Sequence, residues 1–335
     1  MARRHVLLLL AGIIITAAEF AGNTSECVIV SKSSCGKHFT SIQRAIDSLP
    51  TSSIAEQCIV IHQGVYQELI IVPFRSGPLS LFGETEGATT GSSNNLVTVT
   101  ADQAIGCHGN TSRSSTIHVQ SPQFRMYNVN VMGHMDRAGP GGTALSSEVD
   151  GGYYGCRFTG GRKVVHTRGG RHLFARSSIN AYTDLVSGWE ASVWHERNEL
   201  RLHGSRDGQG YIAGVGAPSA MCGSLFVFNR CGISVASGAV VRNGSYFLGR
   251  PLGGDAKVVF QQTDMSPAVN PAGWRMCGLT GRRAGNVTFG EYQNHGLGSV
   301  RPRAGLATTL ENPVTLTEVL GTGYFLRGFF DASYM

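Results

Sequence analysis

The stretch Ile179-Asn180-Ala181-Tyr182-Thr183-Asp184-Leu185-Val186-Ser187-Gly188 sets short β-prone runs on either side of one acidic residue and closes on a glycine. Runs of this length, rich in Ile, Val, Tyr and Thr, read as strands, and Asn, Ser and Gly punctuate them. An ionised carboxylate among apolar neighbours is costly unless it is paired or hydrogen-bonded. Asp184 is therefore either a turn residue at a strand end, the common role for Asp in such a place, or a carboxylate held there for chemistry.

Working outward, the same texture covers most of the chain. Short β runs fall at Cys58–Ile61, Leu69–Val72, Leu79–Phe82, Leu96–Thr100, Phe124–Met132, Tyr153–Phe158, Leu225–Phe228, Lys257–Phe260 and Val287–Phe289. No helical crossovers alternate with them, which argues against a doubly wound α/β fold. Hairpin dipeptides are few, with Asp150-Gly151, Asp207-Gly208 and Asn243-Gly244 as the exceptions, so an antiparallel sandwich is also disfavoured. Many short strands with no Pro/Ser-rich linker suit one solenoid of β coils. One helix precedes them. Thr40 or Ser41 is placed as N-cap, Ile42, Ala45, Ile46 and Leu49 recur at helical spacing, and Pro50 ends it. Such a helix would cap the open apolar end of the solenoid.

With 335 residues, 41% hydrophobic and 15% charged, the chain can bury a sizeable core. Its 45 glycines imply many tight turns. The net charge of +6 suits a polyanionic partner: nucleic acid, an acidic lipid surface or an acidic polysaccharide. Arg3 and Arg4, the apolar run Val6–Ile15 and the small residues Thr16, Ala17 and Ala18 follow the order of a secretory signal peptide. Residues 1–18 are read as that leader, with Ala21 as a second cleavage position, and residues 19–335 as one domain. Sequons at Asn23, Asn110, Asn243 and Asn286 fit a secreted glycoprotein. None of the eight cysteines forms a Cys-x-x-Cys pair. Cys27 with Cys35, and Cys222 with Cys231, are the local disulfide candidates.

Several chemistries can be set aside. No Gly-x-Ser-x-Gly elbow is present. His195-Glu196-Arg197-Asn198-Glu199 carries Glu199 where a zinc-protease helix has its second His, so no metal is expected. Gly214-Val215-Gly216 lacks the third glycine and the βαβ setting of a dinucleotide site. Thr167-Arg168-Gly169-Gly170-Arg171-His172 reads as a basic turn rather than an RNA-binding segment.

Six segments, in order, resemble the pectin methylesterase (pectinesterase) family, most of all its secreted fungal members. They are Ser41–Asp47, Gly64-Val65-Tyr66-Gln67-Glu68, Gly152–Phe158, Asp184–Gly188, Tyr246-Phe247-Leu248-Gly249-Arg250-Pro251, and Glu291-Tyr292-Gln293-Asn294 with Gly296 and Gly298. The resemblance implies an all-β fold, a single-stranded right-handed parallel β-helix with an N-terminal capping helix. It implies hydrolysis of methyl esters of polygalacturonate in plant cell walls, giving pectate and methanol, with no cofactor. In the family one Asp attacks the ester carbonyl and a second Asp donates and then accepts the proton. Two glutamines stabilise the oxyanion, and an Arg orients the nucleophile.

Carried over by position, the nucleophile falls on Asp184 and the orienting Arg on Arg250. The other three catalytic positions depart. Lys163 stands at the acid/base Asp, Arg162 at one glutamine and Gly141 at the other. In the substrate-binding positions, Leu252 replaces a stacking Trp and Ser187 a Phe. A charged Lys163 would pair with Asp184 and blunt its reactivity, whereas Arg162 could still stabilise an oxyanion by charge. The expectation is a monomeric, secreted pectinesterase-family protein of impaired activity, acting on pectin or polygalacturonate and not on nucleic acid or membrane. The alternative is a pseudoenzyme that binds pectate without turnover, through a cleft formed by Arg162, Lys163 and Arg250.

Overall fold

The computed structural model describes residues 27–33, 38–87, 90–101, 114–136, 141–216, 224–253, 255–275, 287–300 and 302–335. Their strands form three parallel sheets of eleven, seven and eight strands. The chain visits the sheets in turn. Arg171–Ala175 lies in the eleven-stranded sheet, Ser178–Ala181 in the eight-stranded one and Val186–Trp189 in the seven-stranded one, and Ser192–Glu196 returns to the first. Each circuit stacks on the last in register, as in Val165↔Val186↔Ala213. The molecule is a right-handed parallel β-helix.

The interior follows from strand alternation. Inward residues of the eleven-stranded sheet align as Tyr153↔Phe174↔His195↔Phe228↔Phe260. Their rings stack at centroid distances of 4.6, 5.0, 4.4 and 4.3 Å. His195 is thus a core aromatic. Burial pushes its pKa down to about 3, so it stays neutral and behaves as an apolar ring.

The capping helix spans Ile42–Ser48 with Ser41 as N-cap, and it buries Ile42, Ala45 and Ile46 against the first coil. Glu68 holds its start. The carboxylate accepts from the backbone N–H groups of Ile42 (3.1 Å) and Gln43 (3.0 Å) and from the Ser41 hydroxyl (2.8 Å). That satisfies donors a helix start leaves open and places negative charge at its positive end.

Several sequence expectations need correction. Phe124–Met132 is two strands, Phe124–Tyr127 and Val129–Met132, divided at Asn128, whose φ is +54°. Tyr153–Phe158 likewise divides at Gly155 into Gly151–Tyr154 and Arg157–Thr159. Both turns are corners between sheets, where a left-handed residue redirects the chain without ending the apolar pattern. Cys27 pairs with Cys58, not Cys35, because the register Val28↔Ile59 brings the two side by side on neighbouring coils. Cys231 is a buried free thiol, which removes the Cys222–Cys231 pairing. The leader, Asn23, Asn110, Asn286, Cys35, Cys107, Cys222 and Cys277 lie outside the described residues.

Candidate active site

Asp184 sits in the corner between Ser178–Ala181 and Val186–Trp189, with φ +47°. The isolated bridge Arg162↔Thr183 sets the preceding coil beside it, so Lys163, with φ +51°, occupies the equivalent corner position one coil earlier. Asp tolerates this backbone because its short side chain can bond locally, whereas Lys gains nothing from it.

The Asp184 side chain is only 2% exposed and is held by two guanidinium groups. Arg250 donates through Nε and Nη2 to Oδ1 at 3.2 and 3.1 Å, and through Nη2 to Oδ2 at 2.9 Å. Arg162 donates through Nε to Oδ2 at 2.9 Å. Arg250 lies on the strand Tyr246–Pro251 and stacks over the Tyr211 ring, 4.5 Å from its centroid. Planar stacking and a forked donor are properties that Lys would not supply. Arg162 is the looser partner, 46% exposed against 18% for Arg250.

Arg162, not Lys163, is therefore the second cation on Asp184 among the described residues. The half-buried Lys163 bears instead on His166. Burial pushes the His166 pKa down to about 4, the charges of Lys163 and Arg168 push the same way, and Glu148 opposes them. His166 is a neutral imidazole near neutral pH.

The floor beside Asp184 is the outer face of the seven-stranded sheet, where His118, Ser146, His166, Ser187, Gly214 and Arg250 form one register column. Ser187 is 1% exposed, and its Oγ lies 2.9 Å from His166 Nδ1. It has almost no surface to offer a ligand directly. Leu252, half-buried, reaches over Gly214. A Cβ at Gly214 would stand 3.3 Å from Leu252 Cδ1 and 3.4 Å from Asp184 Oδ1, so the bare glycine leaves room for the carboxylate. Gly141 has φ +68° and packs on the next corner, where an added Cβ would lie 2.8 Å from the Arg162 backbone N. It presents no side-chain donor, and the corner is closed around it.

Sequence reasoning passed over Tyr211 and His166 and weighed Gly214 only as part of a dinucleotide motif. Tyr211 and Gly214 share the strand Gly210–Gly216, whose spaced glycines were the available signal. The arrangement has a buried carboxylate, a forked arginine that orients it, and a second arginine at the open side. It can bind an anionic or ester-bearing group, but the corner one coil before Asp184 carries Lys163 in place of a second carboxylate.

Residues 27–305 match the Pectinesterase family model. The chain is 33% identical over 321 residues to a pectinesterase of Aspergillus aculeatus, covering 95% of each protein. It is 31% identical over 333 residues to one of Aspergillus niger, covering 98% of each. The crystal structure of the pectin methylesterase from Aspergillus niger superposes with a TM-score of 0.82 at 30% identity, over 92% of this chain and 98% of that one. The carrot enzyme shares the fold at a TM-score of 0.77 and 20% identity. With the solenoid, the Asp184–Arg250 pair and these matches together, the chain belongs to the pectinesterase family.

Proposed function

We propose that this protein binds pectin across the outer face of the seven-stranded sheet beside Asp184 and hydrolyses its methyl esters poorly. Asp184 is the nucleophile and Arg250 orients it. Attack on an ester carbonyl needs a free carboxylate lone pair, a proton for the departing methoxide and later a base for the deacylating water. Here Oδ2 already accepts from both Arg162 and Arg250. Lys163 stands where the acid/base carboxylate belongs, and a charged ammonium can donate a proton but cannot act as a base. Gly141 withholds one oxyanion donor, a loss of roughly 10²–10³ in rate, and losing acid/base help costs about 10²–10⁴. Such losses do not simply multiply, but together they remove most of an ordinary enhancement.

The observation that carries this reading is the second guanidinium on Asp184. The same cations favour de-esterified, anionic galacturonate, and Leu252 in place of an aromatic platform keeps affinity modest. A secreted location, with residues 1–18 as leader and 19–335 as the mature domain, fits a cell-wall substrate, and the exposed Asn243 is open to glycosylation. The test is methanol release from highly methylated pectin by purified protein beside Asp184→Asn. A slow rate abolished by the substitution supports the proposal; a rate unchanged in Asp184→Asn would refute the assignment of the nucleophile.

A further inference from the structure

A groove of about 640 Å³ runs along the outer face of the eight-stranded sheet. None of the residues that touch Asp184 lines it. Its floor is built from two register columns, Arg157↔Ser178↔Glu199 and Thr159↔Asn180↔Arg201. Arg176 and Arg197 stand at its edge, at equivalent corner positions of successive coils with φ +50° and +51°. The preceding coils fill that corner with Asn128 and Gly155, residues to which a left-handed backbone comes easily. Arginine gains nothing locally from the same backbone.

Four arginines thus line one groove, and among its described lining residues Glu199 is the single carboxylate. That carboxylate lies 3.6 Å from Arg201, a loose pair in which the side chains are 51% and 41% exposed. Arg197 is 44% exposed, with its Nε 3.4 Å from the buried Glu196 carboxylate, which is not among the groove's lining residues. Arg157 spends Nη2 on the Ser92 carbonyl, and Arg176 donates to the main-chain oxygens of Tyr334 and Met335. The cations spread over three successive coils spaced about 4.8 Å apart, Arg157 on the first, Arg176 on the second and Arg197 with Arg201 on the third. A polymer with one carboxylate per sugar presents acceptors in the same linear fashion, and forked guanidinium groups suit carboxylates.

We infer that this groove is a second binding site for an acidic polysaccharide, separate from the sheet face beside Asp184, and that it holds de-esterified stretches of the polymer. The choice of a uronate polymer rests on the pectin reading above; the recognition of carboxylates rests on the arginines alone. The site would keep the protein on polymer whose esters are already gone.

The test is titration of purified protein with a polygalacturonate oligomer and with its fully methylated counterpart at low salt. Arg197→Asn/Arg201→Ala should weaken polygalacturonate binding about tenfold. Arg162→Ala should leave this component in place, and raised salt should abolish it. Glu199→Gln removes the carboxylate that lines the groove and should tighten binding about two- to threefold, a gain that misfolding cannot mimic. Unchanged affinity in both groove variants would overturn the inference, as would equal affinity for the methylated oligomer. Stronger competition by heparin or RNA than by polygalacturonate would overturn the choice of polymer. Methanol release, followed in parallel, reports on the Asp184 reading independently.

Discussion

Arg162 donates through Nε to Asp184 Oδ2 at 2.9 Å, the same oxygen that Arg250 Nη2 reaches at 2.9 Å. One carboxylate therefore carries two cations of unequal standing. Arg250 is forked, stacked on Tyr211 and mostly buried, whereas Arg162 is nearly half exposed.

That inequality predicts different costs. Arg250→Ala leaves a buried carboxylate with one exposed partner and should destabilise by about 2–4 kcal/mol. Arg162→Ala leaves the forked pair intact and should cost under about 1 kcal/mol. Urea midpoints of the two variants check this; equal losses would contradict the assignment of Arg250 as the principal partner.

The corner geometry separates the departed positions. Gly141→Gln must place a Cβ 2.8 Å from a backbone nitrogen at φ +68°, so it should destabilise by about 2 kcal/mol or more. Lys163→Asp puts at φ +51° a residue better suited to it and should stay within about 0.5 kcal/mol of wild type. Thermal denaturation of the single variants distinguishes them.

Stability should fall on acidification. Burial pushes His166 and His172 down to about 4 and His195 to about 3, below the ordinary value near 6.5. Between about pH 6.5 and 4 the unfolded chain binds protons that the folded chain refuses, so unfolding is favoured as pH drops through that window. Each such histidine contributes up to about 1.4 kcal/mol per pH unit there. His195→Phe keeps the ring stack between Phe174 and Phe228 and should flatten the slope by about one proton. An unchanged slope would mean that His195 is not buried neutral.

Much of the fold was legible because a parallel coil writes itself as short apolar runs closed by glycine and asparagine. The helix was legible from Ile42, Ala45 and Ile46, but its cap partner Glu68 lies 26 residues away from Ile42 on another coil, where spacing gives no sign of the contact. Corners hidden inside the runs, at Asn128 and Gly155, were not legible, since apolar residues continue on both sides of them. Coil lengths vary, as His172↔Val193↔Phe226 shows, so no fixed period revealed that Cys27 would meet Cys58. At the site, position by position reading named Asp184, Arg250, Arg162 and Lys163. It did not reveal which cation reaches the carboxylate, because Arg162 and Lys163 are adjacent in sequence and the corner between them decides which side chain turns toward Asp184.

The central claim is that turnover is limited by cations standing where an acid/base carboxylate and a neutral donor belong. Methanol release from highly methylated pectin, compared between wild type and Arg162→Gln/Lys163→Asp, tests it most directly. The account predicts a rate at least about 10²-fold higher in the double variant, from restored proton transfer and a freed Oδ2. Wild-type protein turning over the ester as fast as the double variant would contradict it.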